Sequence, residues 1–164
     1  MLVVTCGLQG SGKSAAARII ARRLQGTLLI ADVIRKELYP QPTYALEEMQ
    51  AVYDEMFDRA GKVLKAAGAV VLDATFARIK SRVRARDLAR QHKTRYLLVK
   101  IEAPDEIVRQ RLMARTNDPS DADFSVYLKF KHIFQPVSEN HPVVNNSGSL
   151  ADLEQRIDTL FTRT

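Results

Sequence analysis

Gly7-Leu8-Gln9-Gly10-Ser11-Gly12-Lys13-Ser14 is the stretch whose residue types and spacing point to chemistry. It fits G-x-x-x-x-G-K-[ST], in which glycines let the backbone turn so tightly that several N–H groups converge on one anion. A helix starting at the end of such a turn adds unpaired N-terminal donors and the positive end of its dipole. Gly7, Gln9, Gly10, Ser11, Gly12, Lys13 and Ser14 would form the cradle, with Lys13 neutralising the β- and γ-phosphates and the Ser14 hydroxyl ligating Mg²⁺. The competing reading is a glycine-rich turn with a coincidental Lys-Ser, and four fixed positions seldom coincide by chance in 164 residues.

Such a loop needs a strand before it and a helix after it. Leu2 to Cys6 is a β-branched apolar run suited to a buried parallel strand, and Ser14 to Leu24 carries Ala, Ile and Leu at helical spacing. Gly26 is expected to stop that helix. Thr27 to Ala31 then reads as a second strand delivering Asp32 at its C-terminal end, where ligands gather in open parallel sheets. Arg35 follows one helical turn later on the same face. Apolar residues recur at spacings of three and four from Tyr44 to Ala67, a long amphipathic helix ended by Gly68. Ala69 to Asp73 is a third apolar strand ending in a carboxylate. A basic helix from Arg78 to Arg95, a strand from Tyr96 to Ile101, and helices opened by Pro104-Asp105-Glu106 and Ser120-Asp121-Ala122-Asp123 come next. Pro142 to Val144 gives a last strand, and Ser149 to Asp152 caps a closing helix.

Strands alternate with helices, which predicts one α/β domain over residues 1–164: a roughly five-stranded parallel sheet with helices on both faces and a lid near residues 109–125. The 46% apolar content and the lack of a long apolar run point to a soluble globular chain. Met1 leads straight into the first strand with no leader-like segment, so a cytoplasmic location is expected. Cys6 is the one cysteine and sits in an apolar strand, which reads as a buried, inert thiol. A net charge of +6 permits an anionic partner without demanding a nucleic acid. Monomer and dimer are both open.

The carboxylates and arginines choose among the chemistries a phosphate loop can serve. A motor ATPase usually places a water-activating acid beside the strand-end Asp that helps hold Mg²⁺, whereas Ala74 and Thr75 follow Asp73. A switch GTPase needs an N-K-x-D guanine reader, which is missing, and the D-x-x-G match at Asp58–Gly61 falls inside the long helix. A kinase must orient a hydroxyl, accept its proton and neutralise the transferring phosphoryl group. Asp32 is placed for the first two tasks, or serves as a helix N-cap. Arg35 is a ligand for an anionic acceptor or a solvated surface residue. Arg111 and Arg115, at i and i+4, either close over the phosphates or form an ordinary solvated face.

The set Gly7 to Ser14, Asp32-Val33-Ile34-Arg35, Val71 to Thr75 and Arg111/Arg115 resembles the P-loop kinase family that includes predicted small-molecule kinases and the kinase domain of polynucleotide kinases. The resemblance spans nearly the whole chain. It implies ATP and Mg²⁺ as ligands, Asp32 as general base, Arg35 on the acceptor's phosphate, Ser14 at the metal, and Asp73 near the metal, as its ligand, or near the acceptor. Arg111 would bind nucleotide and Arg115 would clamp the transferring phosphate. Asn146, in a segment similar to the family's adenine-proximal loop, would also bind nucleotide. Polynucleotide kinases often carry Asn after the Asp-Thr of the third strand, and this chain reads Asp73-Ala74-Thr75-Phe76 instead.

That departure favours a small hydroxylated acceptor over a nucleic-acid 5′ end. An ATP-binding regulatory module without transfer is the remaining alternative. The stripe Arg78, Arg82, Arg86 and Arg90 is read as a solvated outer face with Phe76, Ile79 and Val83 turned to the sheet; a nucleic-acid groove competes with that reading. Interleaved aromatics, usual in single-strand binders, are missing from it.

Overall fold

The computed structural model describes residues 1–114 and 123–162. Five parallel strands, β1 (Leu2–Cys6), β2 (Thr27–Ile30), β3 (Val70–Asp73), β4 (Tyr96–Glu102) and β5 (Val143–Asn145), form one sheet in the order β2-β3-β1-β4-β5. Among the described residues the helices are α1 (Lys13–Leu24), α2 (Ala31–Leu38), α3 (Leu46–Lys65), α4 (Ile79–Gln91), α5 (Asp105–Met113), α6 (Phe124–Ile133) and α7 (Leu150–Thr162).

Both faces of the sheet are covered, which is why its strands are continuous apolar runs rather than alternating ones. Leu2, Val4 and Cys6 of β1 pack beneath α3 and α4, while Val3 packs beneath α1 and α7. Burial raises the Cys6 thiol to about 11, in keeping with an inert side chain. A third, small cluster joins Val108 and Leu112 of α5 to Tyr127 of α6 and to Leu8 of the glycine-rich loop. This cluster holds the α5–α6 pair against the loop.

Helices α1 and α3 do not end through glycine as expected. The left-handed residues are Gln25 (φ 49°) and Ala67 (φ 58°), each one position before the glycine. Gly26 and Gly68 then donate their N–H groups back to the carbonyls of Ala21 (2.9 Å) and Val63 (3.0 Å). Close approach explains the missing side chains. A Cβ on Gly26 would sit 2.9 Å from the Ala69 carbonyl oxygen, and one on Gly68 2.9 Å from a Val63 methyl. Elsewhere capping follows the sequence: the Ser149 hydroxyl accepts from the Asp152 N–H at 3.2 Å, and Asp152 accepts from the Ser149 N–H at 2.8 Å.

The basic helix departs most from expectation. Arg82, read as part of a solvated stripe, is 2% exposed and donates both terminal nitrogens to the Gln135 carbonyl (3.0 Å each) and one to that of Pro136 (2.8 Å). Unpaired carbonyls packed onto a helix need donors, and a guanidinium supplies several. Its neighbours are paired too: Arg84 with Asp54, Arg86 with Glu139 at 3.7 Å, and Arg90 with Asp87 at 3.4 Å. Ile79, expected to face the sheet, is exposed, and Ala85 and Ala89 take the inward positions beside Arg82. Phe76 is fully buried as expected, against Tyr53 and Phe57.

Candidate active site

The glycine-rich loop connects β1 to α1, and each of three glycines has its own reason. Gly7, Gly10 and Gly12 have φ values of 153°, 76° and 87°, in the region that favours glycine. A Cβ on Gly7 would lie 2.3 Å from the Ile101 carbonyl oxygen, and one on Gly12 1.9 Å from Asn146 Nδ2. The loop is anchored on both sides, since Gly7 N–H donates to the Thr75 carbonyl (3.2 Å) and Asn146 Nδ2 to the Ser11 carbonyl (2.8 Å). Lys13 and Ser14 open α1, whose first turn carries no acid to compete for its N-terminal donors.

Asp73 ends β3 in the core beside this loop. It is 2% exposed, and its Oδ1 accepts from the Thr5 hydroxyl at 3.3 Å while Oδ2 has no hydrogen-bond partner among the described residues. Burial pushes its carboxyl above the usual range, opposed by the Lys13 ammonium and the Ser14 hydroxyl and reinforced by the Asp32 charge. Those influences mark Lys13, Ser14, Asp32 and Asp73 as one electrostatic neighbourhood. Asp32 sits in the first turn of α2, not at the end of β2, and makes no side-chain cap bond. It is therefore not the N-cap of that helix, and its side chain is partly exposed (31%).

Arg35, one turn further on, is neither a surface residue nor open to solvent. It is 7% exposed; its Nη1 donates to Glu48 Oε1 at 3.0 Å and its guanidinium lies 4.7 Å from the Tyr44 ring centre. Its Nε is 3.8 Å from Asp32 Oδ1, an ion-pair distance beyond hydrogen-bond reach. Glu48 in turn accepts at Oε2 from the Thr43 N–H (2.7 Å) and hydroxyl (3.0 Å). The sequence reading missed Glu48, although a signal was present. The buried stripe Val52, Met56, Ala60, Leu64 on α3, continued back by four residues, lands on it.

Arg111 approaches the loop from α5. Its Nη1 is buried without a hydrogen-bond partner among the described residues, 3.7 Å from where a Gly12 Cβ would stand, and burial pulls the guanidinium below the ordinary arginine value. Arg115 and the middle of the expected lid lie outside the described residues. A cleft of about 490 Å³ opens beside Gly7, Leu8 and Ser11, walled by Pro104, Tyr127 and Phe134. A larger surface concavity of about 770 Å³ between α3 and α4 is remote from the loop.

Buried polar atoms without hydrogen-bond partners among the described residues gather at this site: Gln9 Oε1, Ser11 Oγ, Arg35 Nε, Asp73 Oδ2 and Arg111 Nη1. Such atoms are costly unless a ligand completes them. An unpartnered guanidinium and a cradle of N–H groups fit a polyphosphate, and an unpartnered carboxylate oxygen beside a hydroxyl fits a hard cation. Among the described residues no three His, Cys, Asp or Glu side chains form a cluster that could hold a metal. A cation at Ser14 and Asp73 would therefore draw its other oxygens from phosphate and water, as Mg²⁺ does.

The fold and this loop define a P-loop architecture, a parallel α/β sheet with a phosphate-binding loop between its central strand and the helix that follows. The chain belongs to the AAA domain family, whose model matches residues 2–137. It is 26% identical over 133 residues to uncharacterized protein Rv2004c of Mycobacterium tuberculosis, a match covering 74% of this chain and 27% of that protein. The chain thus spans about a quarter of the length of the curated relatives it matches. Solved structures of similar fold include Kti12 of Chaetomium thermophilum with ADP-AlF3 (TM-score 0.73, 18% identity, covering 99% and 98% of the two chains). Others are an APS kinase from Mycobacterium tuberculosis with AMPPNP and APS (0.72, 18%, 98% and 96%) and a gluconokinase from Sinorhizobium meliloti (0.67, 17%, 99% and 96%). At these identities the likeness is one of fold.

Proposed function

We propose that this chain is an ATP-dependent kinase that transfers the γ-phosphoryl group of Mg·ATP to a hydroxyl of a small molecule. The observation that carries the reading is the pairing of two carboxylates in different surroundings. Asp73 is buried beside Lys13 and Ser14, whereas Asp32 is partly open on the neighbouring helix. The first suits metal holding and the second proton transfer. Ala74, after Asp73, is 5% exposed and offers no acid for activating water.

In this reading Lys13 and the loop N–H groups hold the phosphates. Ser14 and Asp73 would hold Mg²⁺, which would supply charge neutralisation for the transferring group. Arg111 and Asn146 embrace the nucleotide, with Arg115 closing the lid. Asp32 takes the proton of the acceptor hydroxyl as that oxygen bonds to phosphorus and the bond to the bridging oxygen of ADP breaks. The similarity in fold to an APS kinase and a gluconokinase supports small-molecule acceptors. So does the pairing of Arg82, Arg84, Arg86 and Arg90, which leaves the basic helix poorly suited to a nucleic-acid backbone. No described helix is long and apolar enough to cross a membrane.

The test is one assay with γ-labelled ATP, offering pooled sugars, nucleosides and aminoglycosides alongside 5′-hydroxyl oligonucleotides. Label in a small molecule is the expected result. Salt-sensitive labelling of oligonucleotide alone would establish a polynucleotide kinase, and nucleotide binding with no labelled product a regulatory module.

A further inference from the structure

The cation that stands one turn from Asp32 is already neutralised from inside the protein. Arg35 and Glu48 form a buried pair at 3.0 Å, both at least 93% buried, and the Tyr44 ring lies over the guanidinium. Thr43 completes the arrangement by donating twice to the other Glu48 oxygen, so the acid is held from both sides. Tyr44 itself has φ 59°, a backbone conformation that a tyrosine adopts only when its surroundings hold it there. The group is therefore built to keep Arg35 in place with its charge cancelled. With that pair neutral, the partly open Asp32 carboxylate is the charge that an acceptor meets on this side of the site.

We propose that Glu48 is a specificity-determining residue: by cancelling Arg35 it restricts the acceptor to molecules that carry no anionic group near the hydroxyl that meets Asp32. This rests on the kinase reading above. A phosphorylated acceptor would have to displace Glu48 from a fully bonded buried site or approach an uncompensated carboxylate, and both are costly. An uncharged polyol or nucleoside meets neither cost. Arg35 then serves as a positioning residue, its Nε beside Asp32 and its forked end fixed by Glu48.

The test compares wild type, Glu48→Gln and Glu48→Asp on matched acceptor pairs, sugars and nucleosides beside their monophosphates, with Mg·ATP. Wild type should have the higher kcat/KM on the neutral member of each pair. Glu48→Gln should move that ratio toward the phosphorylated member by about ten- to thirtyfold, the effect of one charge at roughly 8–12 Å in an effective dielectric near 20. Glu48→Asp, which keeps the charge, should stay near wild type. A second measurement does not depend on turnover. Inorganic phosphate titrated into protein saturated with Mg·AMPPNP should bind at least tenfold tighter to Glu48→Gln than to wild type. A wild-type preference for phosphorylated acceptors, or a folded Glu48→Gln with unchanged ratio and phosphate affinity, overturns the proposal and leaves the kinase reading intact. Absence of transfer to every acceptor by a wild type that binds Mg·ATP overturns the kinase reading, while the phosphate titration still decides the charge proposal. If Glu48→Gln does not fold, the wild-type ratio decides alone.

Discussion

The side-chain amide of Asn146 donates to the main-chain carbonyl of Ser11 at 2.8 Å, tying the loop after β5 to the phosphate loop after β1. Asn146 is 6% exposed, and its Nδ2 occupies the space that any side chain on residue 12 would need. The two loops are thus locked together as one continuous surface. Asn146→Ala should leave Ser11 carbonyl oxygen without its donor and weaken Mg·ATP binding by about tenfold, in line with about 1–2 kcal/mol for a lost buried hydrogen bond. Calorimetry checks this, and unchanged affinity would separate the two loops functionally.

Lys13→Ala should abolish measurable Mg·ATP binding, since the loop would keep its N–H groups and lose its cation. Nucleotide affinity preserved in that variant would remove the loop from the nucleotide site.

Asp32→Asn should leave ATP affinity nearly intact while lowering transfer by about 10² to 10⁴, the usual cost of losing a general base. Single-turnover rates with the acceptor found in the screen make the comparison. Fast acceptor-independent hydrolysis surviving the change would point to an ATPase instead.

Asp73 should oppose stability in the absence of ligands. Burial raises its carboxyl, so the folded state favours the protonated form; its contribution is greatest at low pH and declines as pH rises through the folded value. Asp73→Asn should therefore raise the Tm of the ligand-free protein at neutral pH, by about 2–4 °C if the gain is about 1 kcal/mol. The same variant should lose the Mg²⁺-dependent part of stabilisation by ATP. A lower Tm would contradict the account of the unpartnered Oδ2.

Glu48 behaves in the opposite sense. Burial pushes its carboxyl up, but the Thr43 N–H, Arg35, the Thr43 hydroxyl and the Tyr44 N–H together hold it below its ordinary value of 4.5. The stability it contributes is present above pH 4.5 and is lost as pH falls through the lowered value. Tm measured from pH 3 to 7 should fall less steeply on the acid side in Glu48→Gln. Parallel curves for the two proteins would refute this.

Much of the site was legible because it is local. The phosphate loop is eight consecutive residues whose backbone geometry dictates their types, and Asp73 is reported by the apolar run that precedes it. The five strands followed from the same logic. Arg82 was misread because its partners, the carbonyls of Gln135 and Pro136, come from distant chain that carries no side-chain signature of its need for donors. Asp32 was placed at a strand end because helix α2 begins at Ala31 without an intervening turn. The hydrogen bond that buries Arg35 comes from Glu48, thirteen residues away across two prolines, where spacing within one helix no longer applies.

The strand order has a consequence for how the protein is made. β1 precedes its partners in the chain yet belongs at the centre of the sheet, between Val70–Asp73 on one side and Tyr96–Lys100 on the other. At about 5–20 residues per second, the run Leu2–Cys6 waits several seconds for both neighbours. During that interval an uncharged, β-branched segment is open to pairing with other nascent chains. A chaperone that shields β1 during synthesis should raise the yield of soluble protein more than one supplied after release.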